Sequence, residues 1–400
     1  MTVIDKDRAL AKGLLSAVAV RERAHELLQI ALAGGLAEWR VDLERLAHAA
    51  DITGQVVRAN YPDLKVPFHA RWRHFVVEGR DLWAERLAAH RFADRAEAAR
   101  AAFDLVIPSV LLDAGAGGAW RYRDAATGAG LGRSEGLGVA SLRMFEAGAF
   151  SSDPARPLQA DALARVDEGV LAKGFQVTPD NPLVGLEGRA ALVRRLGEVV
   201  GRPARLYDLI AARAEAGRLP APVILEVLLA ELGPIWPGRI SLGGLPLGDC
   251  WRHPALKRAD ATDGLVPIHK LSQWLAYSLI EPLQAAGVEV TDIDGLTGLA
   301  EYRNGGLFVD AGVLVPKDPA DASRAHAVDG PLVVGWRALT VALLDRLAPL
   351  VRERLGVTAA DFPLACVLEG GSWGAGRRLA RERRADAAPP IAVISDGTVF

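Results

Sequence analysis

Apolar residues recur at three- and four-residue spacing along most of this 400-residue chain, with Ala and Leu dominating the runs. That is the period of helices with one buried face, not the two-residue alternation of half-buried strands. Leu10, Leu14, Val18, Leu27 and Leu28 form one such stripe, and Asp5 or Asp7 stands where an N-cap would open a helix running to about Gly34. The same spacing predicts helices near 41–59, 81–106, 134–147, 157–172, 187–200, 205–216, 220–232, 267–286 and 332–355. Short strands are predicted at Val288–Ile293, Leu307–Val315 and Ile391–Ser395, where β-branched or alternating runs end at Gly, Asp or Pro. The strand-helix alternation of a doubly wound sheet is missing, which argues against a nucleotide-binding α/β fold. The expectation is a mainly α fold, a single large helical domain over 1–400 with a few short strands and room for lobes at 1–200 and 201–400. Residues 316–330 read as loop, and Gly and Pro punctuate 233–262.

Composition narrows the classes. Half of the residues are hydrophobic, 24% are charged and the formal net charge is -2, so there is ample core and no global cationic field for a nucleic-acid backbone. A small anion needs only a local arginine cluster. The N-terminal MTVIDKDRALAK lacks the apolar heart of a signal peptide, and no run approaches the roughly 18 apolar residues of a membrane span. A soluble, cytoplasmic chain with no membrane partner is expected. Cys250 and Cys366 are too few for a disulfide framework or a cysteine-rich zinc site, in keeping with a reducing compartment.

Polar and aromatic residues gather in a few segments. In Pro67–Phe75, two His, two Arg and three aromatics could grip an anion, or simply start a helix with solvated arginines. His69 and His74 are five apart, unlike the i, i+4 pair of a helical zinc site. The glycines after Asp113 precede Arg133-Ser134-Glu135, where Ser134 suits an N-cap and Arg133 and Glu135 could line a pocket. Phe175–Pro182 is turn chemistry before a helix. Asp249-Cys250-Trp251-Arg252-His253 invites a Cys–His dyad, though residues three apart rarely form one.

Two segments carry most of the functional expectation. Asp263 stands before a predicted helix start at Pro267, and that helix would present His269, Gln273 and Tyr277 on one face, with Lys270 beside them. The structural alternative leaves His269 and Gln273 to satisfy each other. Glu301-Tyr302-Arg303-Asn304 then places a carboxylate, a phenol, a guanidinium and an amide in succession, followed by two glycines and Asp310. The final residues, ending in Ser395–Phe400, suggest a docked tail.

Taken together, PFHARWRHF, SVLLDAGAG, RSEGL, NPLVGLEGR, GLVPIHKLSQWLAYSL, EYRNGGL, CVLEGGSWGAGR and SDGTVF resemble the fungal and bacterial uracil-catabolism protein family. The resemblance spans nearly the whole chain. It implies a pathway shared with a cyclohydrolase-like protein and uracil phosphoribosyltransferase, and a nucleoside- or nucleotide-derived substrate. A shorter similarity, Asp263 with Val266-Pro267 and then Glu301 with Arg303, is to the queuosine-nucleotide glycosidases. It implies a helical architecture like that of DNA glycosylases.

The pathway that the resemblance implies leaves a step separating urea from ribose, so the chemistry expected is N-glycosidic hydrolysis of ribosylurea or its 5′-phosphate, without cofactor or metal. Asp263 would stabilise the oxocarbenium-like sugar, and His269 or Glu301 would protonate the leaving nitrogen. Arg303 with Lys270 or Arg73 would hold a phosphate, and Trp251, Tyr302 or Trp72 would cover the ligand. Gln273, Asn304, Asp249, His69, Arg133, Glu135 and Asp310 complete the expected substrate contacts. Two alternatives stay open: a metal-assisted amidohydrolase using His69, His74 or His253 with Asp249, and a non-catalytic partner of the cyclohydrolase-like protein.

Overall fold

The computed structural model describes residues 2–113, 115–236 and 238–394. The fold is mainly α, and its strands are two- or three-residue pieces paired only in twos. Among the described residues, no helix is long and apolar enough to cross a membrane.

The first predicted helix is two, Val3–Leu14 and Ala17–Leu32. Thr2 is the cap, not Asp5 or Asp7: its hydroxyl accepts from the Asp5 amide at 3.1 Å while Asp5 accepts from the Thr2 amide at 2.9 Å. Ser16, extended at φ -151°, starts the second helix by accepting from the Ala19 amide at 3.2 Å. Likewise 81–106 separates into Leu82–Ala89 and Arg95–Leu111, because Asp94 caps a new start. Most of 157–172 is irregular, with a 3-10 turn at Leu163–Arg165 and an α-helix over Glu168–Gly174. Leu307–Val315 is corrected as well, since it is helical as part of Tyr302–Asp310 and extended only over Leu314–Pro316. Strands do form at Glu289–Thr291 and Ala392–Ile394. The tail expectation for 395–400 lies outside the described residues.

The chain divides into two compact units, each assembled from separated stretches, and the divisions fall elsewhere than at residue 200. Among the described residues the first unit comprises 2–69, 238–273 and 292–394. Its centre is the helix Pro331–Leu355, almost wholly buried between Ala17–Leu32 and Leu46–Asn60. Against it lie Tyr302–Asp310 and a C-terminal rod made of Leu364–Val367, the π-helical turn Leu368–Ser372 and Trp373–Arg383. Short antiparallel pairs join Trp39–Val41 to Leu314–Pro316 and Cys250–Arg252 to Leu265–Pro267. The second unit packs Arg95–Leu111 against Arg133–Glu146, Leu186–Val200 and Ala204–Ala211, with Arg218–Pro220 parallel to Glu289–Thr291.

Sequence periodicity missed the C-terminal rod because Gly370, Gly371, Gly374 and Gly376 disfavour helix. Close helix packing is what requires such residues. A Cβ at Gly376 would stand 1.9 Å from the Arg303 carbonyl oxygen, and one at Gly305 would stand 2.7 Å from Trp336 Nε1. Gly376→Ala is therefore expected to lose about 3 kcal/mol of stability, read as a lower urea midpoint; an unchanged midpoint would contradict this packing.

Candidate functional site

The segment from Asp263 to Gln273 is built differently from its sequence expectation. Val266-Pro267 end a strand paired with Cys250–Arg252, and the helix begins only at Lys270. His269 thus precedes the helix with a left-handed backbone at φ 49°, so no helical face aligns it with Gln273 and Tyr277. Such a backbone is unusual for a residue with a Cβ and marks a locally constrained position. Nor do His269 and Gln273 satisfy each other. His269 Nε2 lies 3.0 Å from the Leu14 carbonyl oxygen, whereas Gln273 donates to Thr297 Oγ1 at 2.7 Å and accepts from the Thr297 amide at 3.3 Å. His269 is buried, its Nδ1 has no partner among the described residues, and burial pushes its pKa down, favouring neutral imidazole.

Asp249 holds this turn in place. Its backbone oxygen accepts from the Ile268 and His269 amides at 2.9 and 3.0 Å, and its carboxylate accepts from the Lys270 amide at 2.9 Å. Trp251 Nε1 donates at 2.6 Å, and Arg337 grips both carboxylate oxygens at 2.8 Å each. Burial alone would raise the Asp249 pKa, but Arg337 and these hydrogen bonds bring it down to about 2. The carboxylate is ionised and fully engaged. Arg337 also donates to the Ala300 carbonyl at 3.4 Å, linking Asp249 to the residue before Glu301.

Glu301 is the N-cap of Tyr302–Asp310, accepting from the Arg303 amide at 2.8 Å and the Asn304 amide at 2.5 Å. Burial raises its pKa despite those amides, while Lys270 and the nearby His69 oppose the rise electrostatically. His69 Nδ1 meets Glu369 at 2.6 Å, and the His69 ring lies 6.4 Å from that of Trp373. Glu369 lies in the π-helical turn, an irregularity frequent at functional sites. In the same turn Ser372 donates to Asn304 Oδ1 at 2.8 Å, while Asn304 Nδ2 donates to the Leu299 carbonyl at 3.1 Å. Arg303 lies over the Tyr302 ring at 4.8 Å and donates to the Ala387 carbonyl at 3.0 Å.

Other expected residues have different surroundings. Asp263 is half-buried in a turn, where its carboxylate accepts from the Arg258 amide at 2.7 Å. Asp310 is held bidentately by Arg384 at 2.8 and 2.6 Å. Cys250 is buried and its thiol pKa is pushed up, against a thiolate nucleophile. Arg73, Arg133 and Glu135 belong to the second unit. There Arg73 grips Glu281 at 2.8 and 2.7 Å, and Arg133 and Glu135 lie in the first turn of Arg133–Glu146. That unit has a buried ionic centre of its own, with Arg71 Nη1 2.8 Å from Asp113 and Nε donating to Ser109 at 2.7 Å. Among the described residues no three His, Cys, Asp or Glu side chains gather as a metal site.

The structure thus brings together Asp249, Trp251, His269, Lys270, Glu301 and His69, and adds Arg337 and Glu369, which sequence reasoning did not select. Arg337 was hidden in an Ala- and Leu-rich helix; its one signal is a lone charge on an otherwise apolar stretch. Glu369 lay in a segment noted only for its resemblance.

The chain belongs to the family described as "Protein of unknown function (DUF1688)", which matches residues 13–400. It is 40% identical over 400 residues to "Protein urg3" of Schizosaccharomyces pombe, covering 97% of this chain and 98% of that protein. It is 36% identical over 408 residues to "Uracil catabolism protein 4" of Lachancea kluyveri, covering 90% and 92%.

Proposed function

We propose that this chain acts in uracil catabolism as an N-ribosyl hydrolase, cleaving ribosylurea or its 5′-phosphate to urea and ribose or ribose phosphate. The pathway rests on the name of the Lachancea relative. The observation that carries the reaction is Glu301, a buried carboxyl whose pKa is raised, with the His69–Glu369 pair in its electrostatic neighbourhood.

Urea nitrogen leaves poorly unless it gains a proton, so a carboxyl biased towards its protonated form suits the donor. Glu301 gives its proton to that nitrogen as the C1′–N bond breaks and positive charge spreads over C1′ and the ring oxygen. Water adds at C1′, and His69, oriented by Glu369, takes the proton that water gives up. Transfer from imidazolium to the Glu301 carboxylate closes the cycle, and the net reaction consumes one water. Asp249, its charge neutralised by Arg337, orders the Lys270 turn. Arg303 is the proposed phosphate contact. Asp263, whose carboxylate accepts from the Arg258 amide, is the alternative carboxylate for stabilising the sugar cation.

The test is urea release from ribosylurea and from its 5′-phosphate by purified chain. Turnover of either supports the reading. Ureide opening without urea release would favour the amidohydrolase alternative, and binding without turnover would favour a non-catalytic role. If the chain hydrolyses as proposed, Glu369→Gln is expected to lower kcat roughly 10- to 100-fold with little change in KM, since it removes the charge that supports imidazolium. An unchanged kcat would remove Glu369 from the mechanism.

A further inference from the structure

The second unit contains a cleft of about 420 Å³ that the hydrolytic reading does not use. Its walls come from the segment before the helix Arg95–Leu111, from the loop around Arg156 and from the turn after Leu186–Val200. Arg91, Arg156 and Arg202 line it, against one acidic lining residue, Glu97. The balance of charge is what distinguishes this cleft.

Arg202 is neutralised from beneath, its Nε lying 2.6 Å from the wholly buried Asp104. Asp104 also accepts from the Ala204 amide at 2.8 Å, so this pair fixes the wall and its turn. Glu97 lies 3.7 Å from Arg156 and is shared with Arg100, 3.4 Å away. Arg100 is held chiefly by Asp208, at 2.9 and 3.1 Å, so Glu97 answers Arg156 and the uncompensated charge of the cleft is that of Arg91. Arg91 is exposed and has no ion-pair partner among the described residues. The cleft holds surplus positive charge in a concave setting, where fields are focused and solvent screening is reduced.

The other walls suit an organic ligand better than a bare ion. Phe92 contributes an aromatic surface, and Gln159, only 6% exposed, contributes an amide. The volume is within the roughly 300–1,000 Å³ of small-molecule sites. Guanidinium groups match the oxygen geometry of a phosphate monoester, whose near-double charge answers two arginines better than a single carboxylate would.

We propose that this cleft binds a small phosphate monoester, a nucleotide or sugar phosphate, with Arg91 and Arg156 on the phosphate and Phe92 and Gln159 on the organic part. The test is calorimetric titration of the full chain with uridine 5′-monophosphate and, as its uncharged counterpart, uridine. Saturable binding of the phosphate form, at least tenfold tighter than uridine and weaker as salt is raised, is expected. Arg91→Ala/Arg156→Ala should weaken it at least tenfold while leaving the melting midpoint unchanged; both side chains are exposed, so the fold does not depend on them. No saturable binding, equal binding of uridine, or binding that survives the double substitution would each overturn the proposal. None of these readouts depends on urea release, so the hydrolytic reading stands or falls separately.

Discussion

Glu301→Gln is expected to lower urea release by roughly 10²- to 10⁴-fold while substrate still binds, the usual scale for losing a positioned proton donor. Glutamine keeps one oxygen for the cap of Tyr302–Asp310 but sets its amide nitrogen against the second backbone donor, so a stability loss of about 1–3 kcal/mol is expected beside the loss of activity. What disappears is the transferable proton. Because burial raises the Glu301 pKa above its ordinary 4.5, the wild-type kcat should fall as pH rises through that raised value. Stability carries the same sign. The folded state binds the proton more tightly than the unfolded chain, so the stabilising contribution is complete below pH 4.5 and is lost as pH rises through the folded value. The glutamine variant should lack this trend. Urea release at the wild-type rate, or the same acid preference in the variant, would exclude Glu301 as donor.

The second large effect is expected at the buried ion pair. Arg337→Met should destabilise the chain by about 3–5 kcal/mol, because Asp249 would keep its burial and lose its bidentate partner. Asp249→Asn in the same chain should recover part of that loss by removing the stranded charge. Asp249 has a folded pKa near 2 against an ordinary 3.8, so its contribution is present above pH 3.8 and disappears as pH falls through about 2. Urea midpoints from pH 7 to pH 2 would show the difference between wild type and Arg337→Met narrowing over that interval. A constant difference would mean that the pair does not set the acid stability.

These two residues also show where sequence reading succeeds and stops. Glu301 was legible because a carboxylate, phenol, guanidinium and amide in a row are unusual beside Ala/Leu helix, and two glycines follow them. Its role as an N-cap was not, since the run was read as leading into a strand. Gly305 lets that helix approach Trp336, a contact that no local propensity encodes. Asp249 was selected as part of a polar segment, but its importance depends on Arg337, 88 positions away in sequence. Asp263 is the converse. Its place before Val266-Pro267 suggested catalysis, while the folded turn engages its carboxylate with the Arg258 amide.

Hydrophobic period and composition by themselves determined a mainly α chain, most of its long helices, the positions of two short strands and the segments in which polar chemistry is concentrated. Those features depend on local spacing and on the balance of apolar and charged residues, which are written into each stretch. The tertiary structure alone decided that His269 precedes its helix, that Glu369 meets His69 across 300 positions, and that a glycine-rich C-terminal segment is helical. Each depends on burial and on partners far away in sequence, because a buried charge or close helix crossing has its energy set by the groups packed around it.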